Sequence, residues 1–296
     1  MTDYQFDWVD AFTTRPFGGN GCVVVHGADQ SSVADRLALV RETKLSECAY
    51  VVDSDKADFG ARYYLAAREI LMAGHPTVAT VISLIHRGVV PVPARFTLEV
   101  GAGVLEIEVT EAEGGPLVTM TQAEPVFGEI CDAAASAAVF GLDAGDVVGL
   151  PQIVSTGTPY GIVVVRDRAT IDRAALDLAA LAAWIDGLER PYPGLHEPFL
   201  VTLGGATQAG DSYGRLLMPP PNIGEDPFTG SATGCMAAYL WHHGLIDGPR
   251  FVAEQGHGMG RPGQARVEVL GPPDAITGVK VGGQGAVLMQ GVVRLG

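Results

Sequence analysis

Acidic and imidazole side chains set beside apolar runs are the residues of this sequence best suited to chemistry. Glu47 follows Ser46 in Leu45-Ser46-Glu47-Cys48-Ala49, at the start of an otherwise apolar stretch. Glu69 and the pair Glu225-Asp226 lie just upstream of two long apolar runs, and His75 opens one of them in Ala73-Gly74-His75-Pro76-Thr77. A carboxyl group among apolar strand residues has its neutral form favoured by desolvation, which suits it to carrying a proton near neutral pH. The plainer reading of Glu47 alone is a solvated strand-end residue. For Asp226, followed by Pro227, it is a turn or helix-capping residue.

The two apolar runs repeat one pattern. At an offset of 156 residues (230 − 74), Gly74 matches Gly230, Thr77 matches Thr233, Leu84 matches Leu240, His86 matches His242 and Gly88 matches Gly244. This reads as a duplicated building block. Each copy predicts one helix. Pro76 suits the first helical position, which puts His75 at the N-cap, and Ser231 takes the same place in the second copy. Gly88 and Gly244 stand where a left-handed C-terminal cap belongs. Between these ends the residues are apolar on every side, so both helices are expected to be buried, enclosed by sheet. The start of such a helix leaves unpaired N–H groups and partial positive charge, a natural holder for a carboxylate. Two such ends facing each other across a two-fold arrangement of halves would make a cleft for a small anion.

Bulk composition narrows the function classes. A length of 296 residues with this repeat favours two halves, read here as 1–125, completed by the last strand at about 284–296, and 126–283. Hydrophobic content of 47% is ample for a core, and a net charge of −15 argues against nucleic acid as a partner. No run reaches membrane-span length and the start lacks a basic apolar leader, so no membrane partner is expected. Cys22, Cys48, Cys131 and Cys235 show no C-x-x-C spacing, which fits a reducing cytoplasm.

Along the chain, alternation and turn residues predict strands near 6–11, 22–26, 47–52 and 59–66, then a meander over 95–100, 105–109 and 117–121. Helices are expected over 31–42, 132–140 and 169–185. Further strands fall near 153–155, 162–165, 199–203 and 214–218, with late ones near 251–254, 266–270, 276–281 and 286–294. A proline-rich loop, Pro219-Pro220-Pro221, leads toward Glu225-Asp226-Pro227.

Several chemistries are disfavoured. The seven histidines never pair with a carboxylate at ligand spacing, so no metal is expected. Gly256-His257-Gly258-Met259-Gly260 has part of a dinucleotide fingerprint but no following helix. Thr229-Gly230-Ser231-Ala232-Thr233-Gly234 lacks a phosphate-loop lysine, and no G-x-S-x-G elbow exists. No cofactor is implied.

Taken in order, Asp10-Ala11-Phe12 with Phe17-Gly18-Gly19-Asn20, Leu45-Ser46-Glu47, Ala73-Gly74-His75-Pro76-Thr77, Gly224-Glu225-Asp226-Pro227 with Thr229-Gly230-Ser231-Ala232, and Gln255-Gly256 with Gly260-Arg261-Pro262-Gly263 resemble the phenazine-biosynthesis PhzF-like family. The resemblance implies an α+β fold of the diaminopimelate-epimerase type: two pseudo-symmetric halves, each a barrel-like sheet around a central buried helix. It implies that Glu47 is the acid/base that moves a proton between substrate carbons. His75 and Asp226 would bind and orient the reacting region with Ser46 and Ser231, Asn20 would join the substrate-binding set, and the N–H groups around Gly74 and Gly230 would hold a carboxylate. It also implies a homodimer. The fold's two-thiol racemases carry a cysteine at each helix start, where this chain has Ala73 and Thr229. Phe228 stands where the family has a small residue and is expected to border the substrate.

The function expected is a cofactor-independent isomerase that shifts a proton on a small carboxylate-bearing substrate. Its rivals are a non-catalytic small-acid-binding protein of the same fold and a thiol-dependent racemase using Cys22 or Cys235.

Overall fold

The computed structural model describes residues 1–220 and 222–296. Pro221, part of the proline-rich loop expected from the sequence, lies outside the described residues. In chain order the elements begin with β1 (Thr2–Ala11), β2 (Asn20–Val25), α1 (Val33–Thr43), β3 (Cys48–Val52), β4 (Phe59–Tyr64), β5 (Glu69–Ile70) and α2 (Gly74–His86). The meander β6 (Ala94–Val100), β7 (Gly103–Ala112) and β8 (Gly115–Gln122) follows, then β9 (Val126–Ile130), α3 (Ala133–Ala138), β10 (Gln152–Ser155) and β11 (Pro159–Val165). The chain continues with α4 (Arg168–Arg173), α5 (Leu178–Asp186), β12 (Phe199–Leu203), β13 (Ser212–Leu217), β14 (Glu225–Asp226) and α6 (Gly230–His242). It closes with β15 (Arg250–Gln255), β16 (Gly263–Leu270), β17 (Gly278–Gly283) and β18 (Gly285–Leu295). Two compact units result: residues 1–121 with 282–296, and residues 122–281.

Each unit builds the same frame. In the first, β1 pairs antiparallel with β2, β2 parallel with β3, β3 antiparallel with β4, β4 parallel with β6, and β6 antiparallel with β7. In the second, β10 with β11, β11 with β12, β12 with β13, β13 with β15, and β15 with β16 repeat those senses in the same order. Even the two-residue strands correspond, β5 on β4 and β14 on β13. Around one helix each, α2 packs on β1–β4 and β18, and α6 on β10–β12 and β16.

Both helices are buried for nearly their whole length, because their apolar residues leave no polar face to show water. Each buried Val, Leu or Ile side chain adds roughly 1.5–3 kcal/mol relative to exposure. The C-terminal ends carry the same cap. Gly88 and Gly244 adopt positive φ (71° and 64°). The N–H groups of Gly88 and Val89 bond the carbonyls of Ile85 and Leu84, as those of Gly244 and Leu245 bond Trp241 and Leu240.

At that end of α2, Arg87 donates to both carboxylate oxygens of buried Asp7 at 2.6 and 2.8 Å, and Ser83 donates to Oδ2 at 2.5 Å. His26 Nε2 lies 2.7 Å from Ser83 Oγ, and burial holds its pKa down at about 4.

Two expectations need correction. The helix expected over 169–185 is two helices, α4 and α5. Ala174 leaves the helical region (ψ 134°), and Asp177 caps α5 by accepting from the N–H groups of Ala179 and Ala180. Arg215 bonds the freed carbonyls of Ile171 and Ala174 at 2.8 and 3.1 Å. The N-caps are also shifted: Ala73 and Thr229 cap the buried helices, so His75 and Ser231 occupy the second helical position instead. Gly74 and Gly230 extend each helix by a turn position that Pro76 and Ser231 suggested was outside it. Among the described residues, no helix is long and apolar enough to cross a membrane.

Candidate active site

In the first unit the sequence delivers its polar groups to the start of α2. β2 begins at Asn20, β3 begins just after Glu47, and the two strands run parallel with Val23 opposite Cys48. Both residues therefore emerge from the same end of the sheet. Gly19 makes the approach feasible: its φ is +49°, and a Cβ there would sit 1.9 Å from the Ala11 carbonyl oxygen. Asp10 Oδ2 holds the preceding turn by accepting from the Phe17 N–H at 2.7 Å.

His75 is 3% exposed. Its Nδ1 lies 3.1 Å from Asn20 Nδ2 and 3.6 Å from Glu47 Oε2. Ser46 Oγ donates to Asn20 Oδ1 at 3.5 Å. Burial pushes the imidazole pKa down to about 3, so His75 is neutral at physiological pH. Its Nε2 is buried with no hydrogen-bond partner among the described residues. Glu47 keeps 16% of its side chain exposed, enough contact with the outside to trade a proton. Thr77 Oγ1 donates back to the Ala73 carbonyl at 2.7 Å and meets Tyr63 Oη at 2.9 Å.

The second unit repeats the frame with other side chains. Thr233 Oγ1 donates to the Thr229 carbonyl at 2.9 Å, as Thr77 does to Ala73. Asp226 is buried, and its Oδ2 accepts from Thr229 Oγ1 at 2.6 Å. Gln255 locks this corner: its Oε1 accepts the Thr229 N–H at 3.0 Å and its Nε2 donates to the Asp226 carbonyl at 2.8 Å. Ser231 Oγ lies 2.8 Å from Tyr160 Oη, and the Tyr160 ring stacks on His196. Gln122 Nε2 donates to the Gly230 carbonyl at 2.9 Å, while its Oε1 accepts from Thr156 at 2.6 Å. Gly234 leaves that amide its space, since a Cβ there would lie 1.9 Å from Gln122 Oε1. Neither buried helix has a side-chain cap at its start, which leaves its leading N–H groups and positive end for an anion.

The sequence profile of the phenazine biosynthesis-like proteins matches residues 9–291. The chain belongs to this family. An uncharacterized isomerase of Salmonella typhimurium is 32% identical over 96% of both chains. The trans-2,3-dihydro-3-hydroxyanthranilate isomerase of Pseudomonas chlororaphis is 27% identical over 97% of this chain and 98% of its own. Among solved structures, a PhzF-family phenazine biosynthesis protein of Bacillus anthracis superposes with a TM-score of 0.88 over the full length of both chains, at 24% identity. A hydroxyproline epimerase from Agrobacterium vitis shares the fold with a TM-score of 0.67 at 14% identity, over 98% of this chain and 92% of its own. The fold is the α+β, diaminopimelate-epimerase-like one, with a buried helix inside the sheet of each half.

Within this PhzF-like frame, Glu47, His75, Asn20 and Ser46 meet at Gly74 in the first unit, and Asp226 and Ser231 flank Gly230 in the second. Glu69 and Glu225, singled out with them as acids near helix starts, are engaged elsewhere. Glu69 is exposed and accepts from Tyr64 Oη, and Glu225 pairs bidentately with Arg215 at 2.8–2.9 Å. Phe228, expected to border the substrate, is fully buried. The sequence alone assigns no role to Tyr160, Gln255 or Gln122. Tyr160 was legible in retrospect: Tyr160-Gly161-Ile162-Val163-Val164-Val165 parallels Asn20-Gly21-Cys22-Val23-Val24-Val25.

All four thiols are free and buried. Desolvation raises each: Cys48 and Cys131 to about 12, Cys235 to about 11, and Cys22 well above its usual range. A thiol so far from ionising at neutral pH is seldom present as the thiolate that accepts a proton, which counts against a racemase built on Cys22 or Cys235.

Proposed function

We propose that this protein, an isomerase of the phenazine biosynthesis-like family, moves a proton between carbons of a small carboxylate-bearing substrate with Glu47 as the acid/base. The observation that carries the reading is the approach of Glu47 Oε2 to within 3.6 Å of a neutral, buried His75 at the uncapped start of α2. In this scheme the N–H groups around Gly74 and Gly230 hold carboxylate oxygens, which draws electron density from the carbon that loses its proton. Glu47 takes that proton, becomes a neutral acid and returns the proton to another carbon. His75 presents Nε2–H to a substrate oxygen or nitrogen, and Asp226, with Ser46 and Ser231, orients the reacting region. The chain's own carboxyl supplies the whole transfer, so the scheme needs no cofactor. Trans-2,3-dihydro-3-hydroxyanthranilate, named for relatives at 27% and 26% identity, is the first substrate to try.

Incubation in deuterated water with that compound and a panel of small amino and aromatic acids tests the proposal. One of them is expected to gain deuterium at carbon. Glu47→Gln is expected to lower the exchange at least a thousandfold (~4 kcal/mol) with an unchanged unfolding midpoint. Full exchange by Glu47→Gln would end the reading, and binding without exchange by the parent chain would favour a non-catalytic acid binder.

A further inference from the structure

An imidazole and a carboxyl stand side by side at the start of α2. His75 Nδ1 lies 3.6 Å from the Glu47 carboxyl, so the tautomer of the neutral ring decides whether that nitrogen turns a hydrogen or a lone pair toward it. Asn20 Nδ2 lies 3.1 Å from Nδ1, inside hydrogen-bond range, whereas Glu47 Oε2 at 3.6 Å is not. Ser46 Oγ donates to Asn20 Oδ1, which turns the amide so that its N–H faces the ring. A ring nitrogen that accepts here carries no hydrogen, so the neutral ring bears its hydrogen on Nε2. That is the nitrogen left buried and unpartnered among the described residues, on a side chain only 3% exposed.

Asn20 was grouped with the substrate-binding residues on the sequence alone. The duplicated frame argues for a different role. In the second unit Tyr160, at the position equivalent to Asn20, bonds Ser231, at the position equivalent to His75. In both units, then, this strand residue holds the second residue of the buried helix.

We propose that Asn20 is a positioning residue: by donating to Nδ1 it fixes His75 as the Nε2–H tautomer and so supplies the substrate with a neutral donor. The use of that donor by a substrate rests on the proposed function, whereas the tautomer does not.

The test reads the ring nitrogens of the full-length, ligand-free protein by ¹⁵N-histidine NMR, with the His75 signals assigned by their loss in His75→Gln. The parent chain is expected to show protonated-type Nε2 and bare Nδ1 from pH 5 to 8. An Nδ1–H tautomer or an imidazolium in that range overturns the proposal, without any variant having to fold. Asn20→Asp replaces the donor by an acceptor of the same shape. It is expected to put hydrogen on Nδ1 and raise the protonation midpoint by about two pH units, a hundredfold change in proton affinity. An Asn20→Asp chain with the parent's tautomer and midpoint also overturns it. A merely structural Asn20 would change stability and leave the nitrogen signature alone. Because no substrate is present, the result is independent of the Glu47→Gln exchange experiment.

Discussion

The starts of α2 and α6 are the same backbone carrying different chemistry. In both, a glycine opens the helix, a threonine three residues on bonds back to the carbonyl before the helix, and no side chain caps the leading N–H groups. Against this shared frame, His75 with Asn20 in one unit stands where Ser231 with Tyr160 stands in the other. The acid differs most. With Val23 opposite Cys48 and Val163 opposite Leu200, the position of Glu47 corresponds to Phe199, a fully buried ring. The duplication thus supplied two alike helix starts, and a carboxyl and an imidazole come together at only one of them. The second start instead gained a rigid polar corner, Asp226–Thr229–Gln255.

Substitution at equivalent positions is the sharpest way to break that comparison. His75→Ala is expected to lower deuterium exchange about a hundredfold (~3 kcal/mol), because it removes the donor beside Glu47. Ser231→Ala, which removes one hydroxyl contact, is expected to cost about tenfold. Equal losses would mean that the two helix starts share the chemistry evenly.

A second contrast is in pH dependence. Burial depresses the folded-state pKa of His75 to about 3 and that of His26 to about 4, whereas the unfolded chain titrates near 6.5. Their contribution to stability is therefore complete above pH 6.5. It is lost as the pH falls, because the unfolded chain gains protons first. For His75 the loss reaches roughly 2 kcal/mol by pH 5. Urea midpoints measured between pH 7 and 5 should fall less steeply for His75→Gln than for the parent chain, and Ser231→Ala should keep the parent slope. The smallest effect belongs to the thiol at the second start. Cys235→Ser retains partners in Thr156 Oγ1 and the Thr158 carbonyl, both at 3.4 Å, and should leave exchange within about twofold. A large loss there would restore the thiol to the chemistry.

Legibility in the sequence followed the physics of each element. The buried helices and their glycine C-caps could be read directly, because an all-round apolar run and a left-handed position each have one common solution. Their first turns could not. Proline at 76 and serine at 231 fit the outermost helical positions, yet Gly74 and Gly230 extend each helix inward, where they leave N–H groups that no side chain covers. The break between α4 and α5 was hidden too, since it depends on Arg215, some 40 residues away, binding the carbonyls it frees. At the start of α2, motif spacing pointed to Glu47 and His75, but the partner of Nδ1 is a matter of ångströms. Asn20 reaches it at 3.1 Å and Glu47 stops at 3.6 Å. No residue pattern encodes half an ångström.

Gly234 sets a trap for anyone who would harden this protein for use. It sits inside a long helix, where replacing glycine by alanine usually gains close to 1 kcal/mol. Here the added methyl would collide with the Gln122 amide, which ties the Gly230 carbonyl to Thr156. The vacancy beside the helix axis is a keyhole for another side chain, and filling it would loosen the first turn of α6.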